Sequence, residues 1–240
     1  MPYTYDYPRP ALTVDCVVFG LDEGRLKVLL IQRAREPFAG RWALPGGFVE
    51  IDEELEETAA RELQEETGLS NVSLEQLHTF GAVDRDPRGR TVSVVYWGLV
   101  RVSQHRARGG SDASQARWFD AARLPRLAFD HREVVAVACQ RLRSEAVRRP
   151  LGLEALPARF PWSEWLQLYE TILGQKLDRR RLLRQLLDCG LLVETPSTRR
   201  AAGPGGGLYR FDKRTYRRLR KEGFPFLLAG PTSRKRPGGH

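Results

Sequence analysis

The sequence predicts an α/β (α+β) chain in two parts: a mixed sheet sandwiched between helices, then a small winged helix-turn-helix domain. Three observations carry that prediction. Apolar strand-like runs between residues 12 and 119 are interrupted by one helical pattern and followed by another. Residues 47–69, GFVEIDEELEETAARELQEETGL, join a glycine-bearing loop to an acidic helix that ends at another glycine. The charge is also divided. The 240 residues carry a net +9, yet residues 1–150 hold 21 Lys+Arg against 22 Asp+Glu, while residues 151–240 hold 18 against 8.

In the first part, residues 12–19 and 26–32 read as strands joined at Asp22, Glu23 and Gly24, a hairpin turn signal. Residues 37–40 form a loop, and residues 41–48 lead through Trp42, Leu44 and Pro45 into Gly46 and Gly47. A helix over 54–67 places Leu55, Ala59 and Leu63 four apart on its buried side, and Gly68 stops it. Glu62, Glu65 and Glu66, at i, i+3 and i+4, are expected to converge on one exposed patch. Residues 73–80 and 91–100 read as strands, 117–119 as a shorter one, and 130–148 as a helix.

Residues 149–158 read as a linker. Residues 163–173 have helical apolar spacing at Trp165, Leu166, Tyr169 and Ile172, ended by Gly174. Asp178 is a good N-cap for a second helix over 179–189. Leu182, Leu183, Leu186 and Leu187 form its expected buried face, with Arg179, Arg180, Arg181 and Arg184 outside. A strand over 191–194, a tip over 195–207 with Arg199 and Arg200, and a return strand over 208–211 complete a wing. The implied domains are 1–148, a linker over 149–158, a winged helix over 159–228, and a basic tail over 229–240 expected to be disordered. In a winged helix-turn-helix the second helix enters the DNA major groove. The arginines of that helix and of the wing tip stand where phosphates would be met.

Several classes are excluded. No apolar run of 18 residues appears, so no membrane span is expected. MPYTYDYPRP lacks a basic segment followed by an apolar run, so no signal peptide is read. Cys16, Cys139 and Cys189 fit no zinc spacing. A cytoplasmic protein is expected. Because the excess positive charge lies in the last third, a polyanion partner, DNA above a membrane surface, is expected there.

Three converging carboxylates repel one another unless cations neutralise them, and hard ions such as Mg²⁺ or Mn²⁺ take such ligands, often shared with substrate phosphates. The order Gly47, Glu53, Arg61, Glu62, Leu63, Glu65, Glu66, Gly68, Leu69 closely resembles the Nudix box, and residues 10–148 resemble the Nudix hydrolase family. The flanks PFAGRWALPGGFV, RDPRGR and LAFDH resemble the subgroup of ADP-ribose pyrophosphatases and their regulatory relatives. The resemblance implies metal-assisted hydrolysis of a nucleoside diphosphate. Glu62, Glu65 and Glu66 then hold metal, with the Gly46 carbonyl as a further ligand and Gly47 giving the phosphates close approach. Glu62 is metal ligand or general base, and spacing does not separate the two roles. Arg61 orients the glutamates, and Glu53 is a ligand or a structural carboxylate. Arg85, Arg88 and Arg90, in a loop between two strands, suit phosphate oxygens.

Residues 169–195, YETILGQKLDRRRLLRQLLDCGLLVET, and the later LYRFD closely resemble the C-terminal domain of the Nudix-related transcriptional regulators of NAD metabolism. That resemblance implies ADP-ribose as effector, operator DNA as target and a homodimer on a two-fold site. Many such regulators have damaged boxes; this chain departs from them in having an intact one, which favours retained hydrolysis over the other reading, a sensor only. The alternative is a housekeeping Nudix hydrolase whose basic domain serves dimerisation alone.

Overall fold

The computed structural model describes residues 5–22, 24–104, 113–151, 156–195 and 207–224. It divides into two compact units, with the boundary between Arg141 and Leu142.

In the first unit, β1 (Ala11–Asp22) and β2 (Arg25–Arg33) pair antiparallel with Asp22 opposite Arg25. Gly24 takes φ +72°, the left-handed conformation that a tight hairpin needs. Then follow β3 (Trp42–Ala43), β4 (Gly46–Phe48), α1 (Leu55–Thr67), β5 (Glu75–Phe80), β6 (Thr91–Arg101), β7 (Ala113–Asp120) and α2 (His131–Arg148). The strands form a seven-stranded mixed sheet in the order β3-β2-β1-β6-β5, with β4 also on β1 and β7 also on β2. β1 and β6 run parallel at its centre, from Ala11 opposite Thr91 to Leu21 opposite Arg101. Burial on both faces explains why β1 reads as a continuous apolar run.

Val14, Cys16 and Val18 share one core with Leu29, Ile31 and Tyr96 of the sheet and with Ala59 and Leu63 of α1. Asp15 alternates to the other face, where His131 at the start of α2 meets it. Behind it the first-unit part of α2, which crosses the boundary, buries Val134, Val135 and Ala138. The sheet is therefore sandwiched between α1 and α2. β7 is longer than the short strand expected, because its full length pairs with β2.

A capping box between Glu54 and Glu57 starts α1, and left-handed Gly68 ends it. One expectation is corrected here. The acidic triplet is not a uniformly exposed patch: the Glu65 side chain is 50% exposed, Glu62 is 15% exposed and Glu66 is buried. α1 lies so close to β1 and β4 that its inward arc reaches beyond Ala59 and Leu63 to Glu66.

The second unit contains β8 (Phe160–Pro161), α3 (Trp162–Leu173), α4 (Arg179–Asp188), β9 (Leu192–Thr195), β10 (Leu208–Phe211) and α5 (Lys213–Glu222). Its three-stranded sheet has the order β8-β10-β9. Trp162, Trp165, Leu168, Tyr169 and Ile172 form the buried face of α3, with Trp165 stacked on both other rings. The Asp178 carboxylate accepts the backbone N–H groups of Arg180 and Arg181 and so caps α4. Leu182 and Leu186 are buried, whereas Leu187, expected inside, is 37% exposed.

The expected linker is also corrected at its start. The Tyr169 hydroxyl donates to the Arg149 carbonyl at 3.1 Å, the Leu151 N–H donates to that hydroxyl, and the Trp165 indole donates to the Leu151 carbonyl at 3.2 Å. These residues belong to the second unit's core. β8 and α5 were not read from the sequence. The wing tip with Arg199 and Arg200, and the tail over 229–240, lie outside the described residues.

Candidate functional site

A cavity of about 370 Å³ opens in the first unit where β1, β4, α1 and the loops before β3 and after β5 meet. Gly46, Gly47, Glu62 and Glu66 line one side, and Arg33, Arg85, Arg88, Phe129 and His131 another.

The glycines are there for clearance. A Cβ on Gly47 would collide with the Glu62 carboxylate, and one on Gly46 would collide with the Val14 carbonyl. The Gly46 N–H donates to Glu66 Oε2 at 2.9 Å. The two substitutions should therefore differ. Gly46→Ala meets backbone and is expected to cost about 1–3 kcal/mol or more. Gly47→Ala meets the end of one side chain, so stability should stay within about 1 kcal/mol while Glu62 is displaced. Urea midpoints of both variants, beside a hydrolysis assay, check this.

Arg61 organises the acidic residues. Its Nε and Nη2 donate to Glu53 at 2.6 and 2.9 Å, and its Nη1 donates to Glu62 at 2.8 Å and Glu65 at 3.4 Å. The hydrogen bonds from Arg61 hold the Glu53 pKa down at about 2 and fix Glu53 as its anchor. Burial raises the Glu62 pKa, against the pull of Arg61. Among the described residues no three His, Cys, Asp or Glu side chains are gathered as metal ligands. Arg61 stands between Glu62 and Glu65, and Gly46 holds Glu66. In kind, these oxygens and the Gly47 clearance suit a hard divalent ion, and the guanidinium already supplies positive charge at two of them.

The loop arginines are placed differently from one another. Arg85 is buried and its fork is spent on Asp130, at 2.9 and 2.8 Å. Arg88 binds Asp86 at 2.7 Å and lies 5.2 Å from the Phe48 ring centre and 5.7 Å from that of Phe129. Arg90 does not line the cavity; it donates to the carbonyls of Gly81 and Ala82, bracing its own loop. Arg33, not singled out in the sequence, lies 4.9 Å from Phe129. Burial and the nearby Arg88 charge both lower its pKa. Two guanidiniums therefore flank one ring, Arg88 already paired with Asp86 and Arg33 within the field of Glu66, Asp86 and Asp15. Phe129 has φ +48° and packs edge-on, at 5.0 Å, against Phe38 with φ +67°. Such geometry in a bulky residue costs roughly 1–3 kcal/mol and is tolerated where the surroundings enforce it.

Sequence reasoning missed Asp15 and His131. The signal was a charged residue inside an apolar strand. Asp15 accepts from Ser93, lies 3.7 Å from Arg85, and faces His131 Nε2 at 3.5 Å. The Leu44 N–H donates to His131 Nδ1 at 2.9 Å, so the ring proton is assigned to Nε2, toward Asp15. Thus His131 holds the strand that leads into Gly46 and Gly47. Burial lowers its pKa, more than Asp15 restores it. The unfolded chain then binds more protons than the native one below about pH 6.5, so the contribution is intact above that pH and lost as pH falls. His131→Gln should cost about 1–3 kcal/mol at neutral pH through the orphaned Leu44 N–H. The gap from the parent should narrow below about pH 6.5. Urea melts at pH 7.5 and 5.5 check both.

In the second unit Arg179, Arg180, Arg181 and Arg184 are exposed along α4, as expected. No helix among the described residues is long and apolar enough to cross a membrane.

These two sites have counterparts. The NUDIX domain model matches residues 9–138, and the NrtR DNA-binding winged helix domain model matches residues 152–211. The chain is 36% identical to the ADPR responsive transcriptional repressor NtrR of Acinetobacter baylyi, over 94% of this chain and 90% of that protein. It is 43% identical to the ADP-ribose pyrophosphatase of Methanocaldococcus jannaschii, over 54% of this chain and 73% of that one. The crystal structure of Shewanella oneidensis NrtR complexed with a 27mer DNA is similar at TM-score 0.76 and 33% identity, covering 91% of this chain and 99% of that chain. Box, cavity and winged helix together place the chain in the Nudix family, in the group whose Nudix domain is followed by an NrtR-type DNA-binding winged helix.

Proposed function

We propose that the chain is an ADP-ribose-responsive transcriptional repressor that also hydrolyses ADP-ribose. The observation that carries the first half is the joining of a Nudix cavity to a winged helix, alike over 94% of the chain to a repressor named for its response to ADPR. The observation that carries the second is the complete set Glu62, Glu65, Glu66 and Arg61 beside Gly46 and Gly47.

Hydrolases of this family use divalent metal, and Mg²⁺ or Mn²⁺ is the reading the oxygen donors favour. Glu62, Glu65 and Glu66 would hold it, with the Gly46 carbonyl beside them. Bound there, it would neutralise diphosphate charge and acidify the attacking water. The chain's own residues do the rest. Arg61 fixes Glu62 and Glu65 in orientation, while Arg33 and Arg88 provide positive charge for the phosphates. Phe48 and Phe129 offer flat apolar surface to a ring. Water adds across one phosphoanhydride P–O bond, giving AMP and ribose 5-phosphate.

The second unit binds operator DNA through Arg179, Arg180, Arg181 and Arg184 of α4, together with Arg199 and Arg200 from the sequence between β9 and β10, as a homodimer on a two-fold site. ADP-ribose releases DNA only if it prefers a different arrangement of the protein, because a ligand of equal affinity for both shifts nothing. Titrating fluorescent DNA from the chain's own promoter region, with and without ADP-ribose, tests this. Specific binding weakened by ADP-ribose is expected. Weak, sequence-blind binding indifferent to ADP-ribose would leave the housekeeping hydrolase.

A further inference from the structure

We propose that α5 is a second DNA contact, one that grips duplex phosphates beside the site engaged by α4 without reading bases. The inference rests on the DNA-binding reading above. α5 lies beyond residue 211, where the winged helix match ends.

α5 carries Lys213, Arg214, Arg217, Arg218, Arg220 and Lys221, all exposed, and one carboxylate, Glu222. At about 100° per residue these six cations fall within roughly 160° of arc. Thr215, Tyr216 and Leu219 fill the remaining side. Leu219 is buried, and Tyr216 packs against Phe224 at 5.6 Å.

Arg220 and Lys221 in the last turn suit the helix dipole, but the rest of the charge pattern opposes the helix's own stability. Lys213 and Arg214 sit in the first turn, at the positive end of the helix dipole. Lys213 and Arg217, Arg214 and Arg218, and Arg217 and Lys221 are like-charged pairs four apart, which repel. Arg218 pairs with Glu222 at 2.8 Å. A helix serving only as a solvated face would alternate its signs. One-signed charge, maintained against both effects, fits a polyanion.

The fold favours DNA as that polyanion. The Asp212 N–H donates to the Leu191 carbonyl at 2.9 Å, and the Asp212 carboxylate caps α5 through Thr215. Leu191 follows the end of α4 by two residues after Cys189. The wing's foot therefore fixes α5 to the segment that leaves α4. A membrane surface fits poorly, because the apolar side of α5 is turned inward and none of the exposed large apolar side chains lies on it.

The test compares the full-length parent with Arg214→Gln plus Arg217→Gln and with Arg214→Lys plus Arg217→Lys. Each is titrated against promoter-region duplex and a scrambled duplex of equal length across a salt series. The Gln variant should lower the slope of log affinity against log salt by about 1.8, roughly 0.9 per phosphate contact. It should weaken both duplexes equally, leave the ADP-ribose response intact, and melt no lower than the parent because repulsion is relieved. The Lys variant should keep the parent slope. An unchanged slope in the Gln variant, with the parent binding DNA, overturns the role of α5 alone. A changed promoter-to-scrambled ratio would make α5 a base reader and overturn it too, as would binding of the parent, lost in the Gln variant, to phosphatidylserine vesicles with DNA affinity unaltered. A parent that binds no DNA overturns this proposal and the repressor reading together.

Discussion

Glu66→Gln is expected to abolish ADP-ribose hydrolysis while leaving the fold and nucleotide binding in place. Glutamine keeps the side-chain volume and an oxygen that can accept the Gly46 N–H now held at 2.9 Å. What it removes is one negative charge from a buried position on the cavity wall. A divalent ion that these carboxylates would hold would be attracted less, so turnover should fall by roughly 10²-fold or more, about 2.7 kcal/mol of barrier. Glu65→Gln should act more weakly, about tenfold, because that side chain is half exposed and does not line the cavity. Chromatographic release of AMP, with ADP-ribose affinity followed by calorimetry, measures both. Equal turnover in the Glu66 variant and the parent would remove Glu66 from the metal site. Binding without turnover in the parent would make the first unit a sensor only.

Arg181→Ala plus Arg184→Ala should be the most damaging pair for DNA binding. Both side chains are exposed on α4, whose start is fixed by the Asp178 cap. Two lost phosphate contacts reduce the salt slope by about 1.8, so a fourfold rise in salt should weaken the variant about twelvefold less than the parent. If either arginine also reads a guanine, discrimination against the wrong base falls by about 1–3 kcal/mol. Fluorescence anisotropy on promoter-region and scrambled duplexes separates the two effects. A slope equal to the parent's would exclude α4 as the phosphate-contacting helix.

The elements legible in the sequence were those set by local chemistry. Gly24, Gly68 and Gly174 marked turns and helix ends because their left-handed backbone suits glycine, and Asp178 marked the start of α4. The Glu62, Glu65 and Glu66 spacing placed the acidic helix, but not the depth to which α1 sinks Glu66. That depth depends on how α1 packs against β1 and β4, which its own spacing does not record. Asp15 and His131, 116 positions apart, meet only because β1 and α2 close over the sheet. Arg85 and Arg90 were expected on substrate; Asp130 claims the first and two carbonyls of its own loop the second. A two-residue strand such as β8 has no periodicity to detect, and the cationic outer side of α5 hid its short inner stripe.

The clamp on Arg149 and Leu151 governs where the chain can be cut. A fragment begun at Trp162, where α3 starts, would lack Phe160, which pairs with Tyr209 to complete the sheet. It would also strand the Tyr169 hydroxyl and Trp165 indole without the carbonyls they serve. The smallest autonomous DNA-binding piece therefore starts upstream of Arg149, inside what looks from the sequence like the tail of the catalytic half. Chimeras that exchange Nudix domains within this group should be spliced within α2, near residue 142, rather than in the stretch 149–158 that reads as a linker.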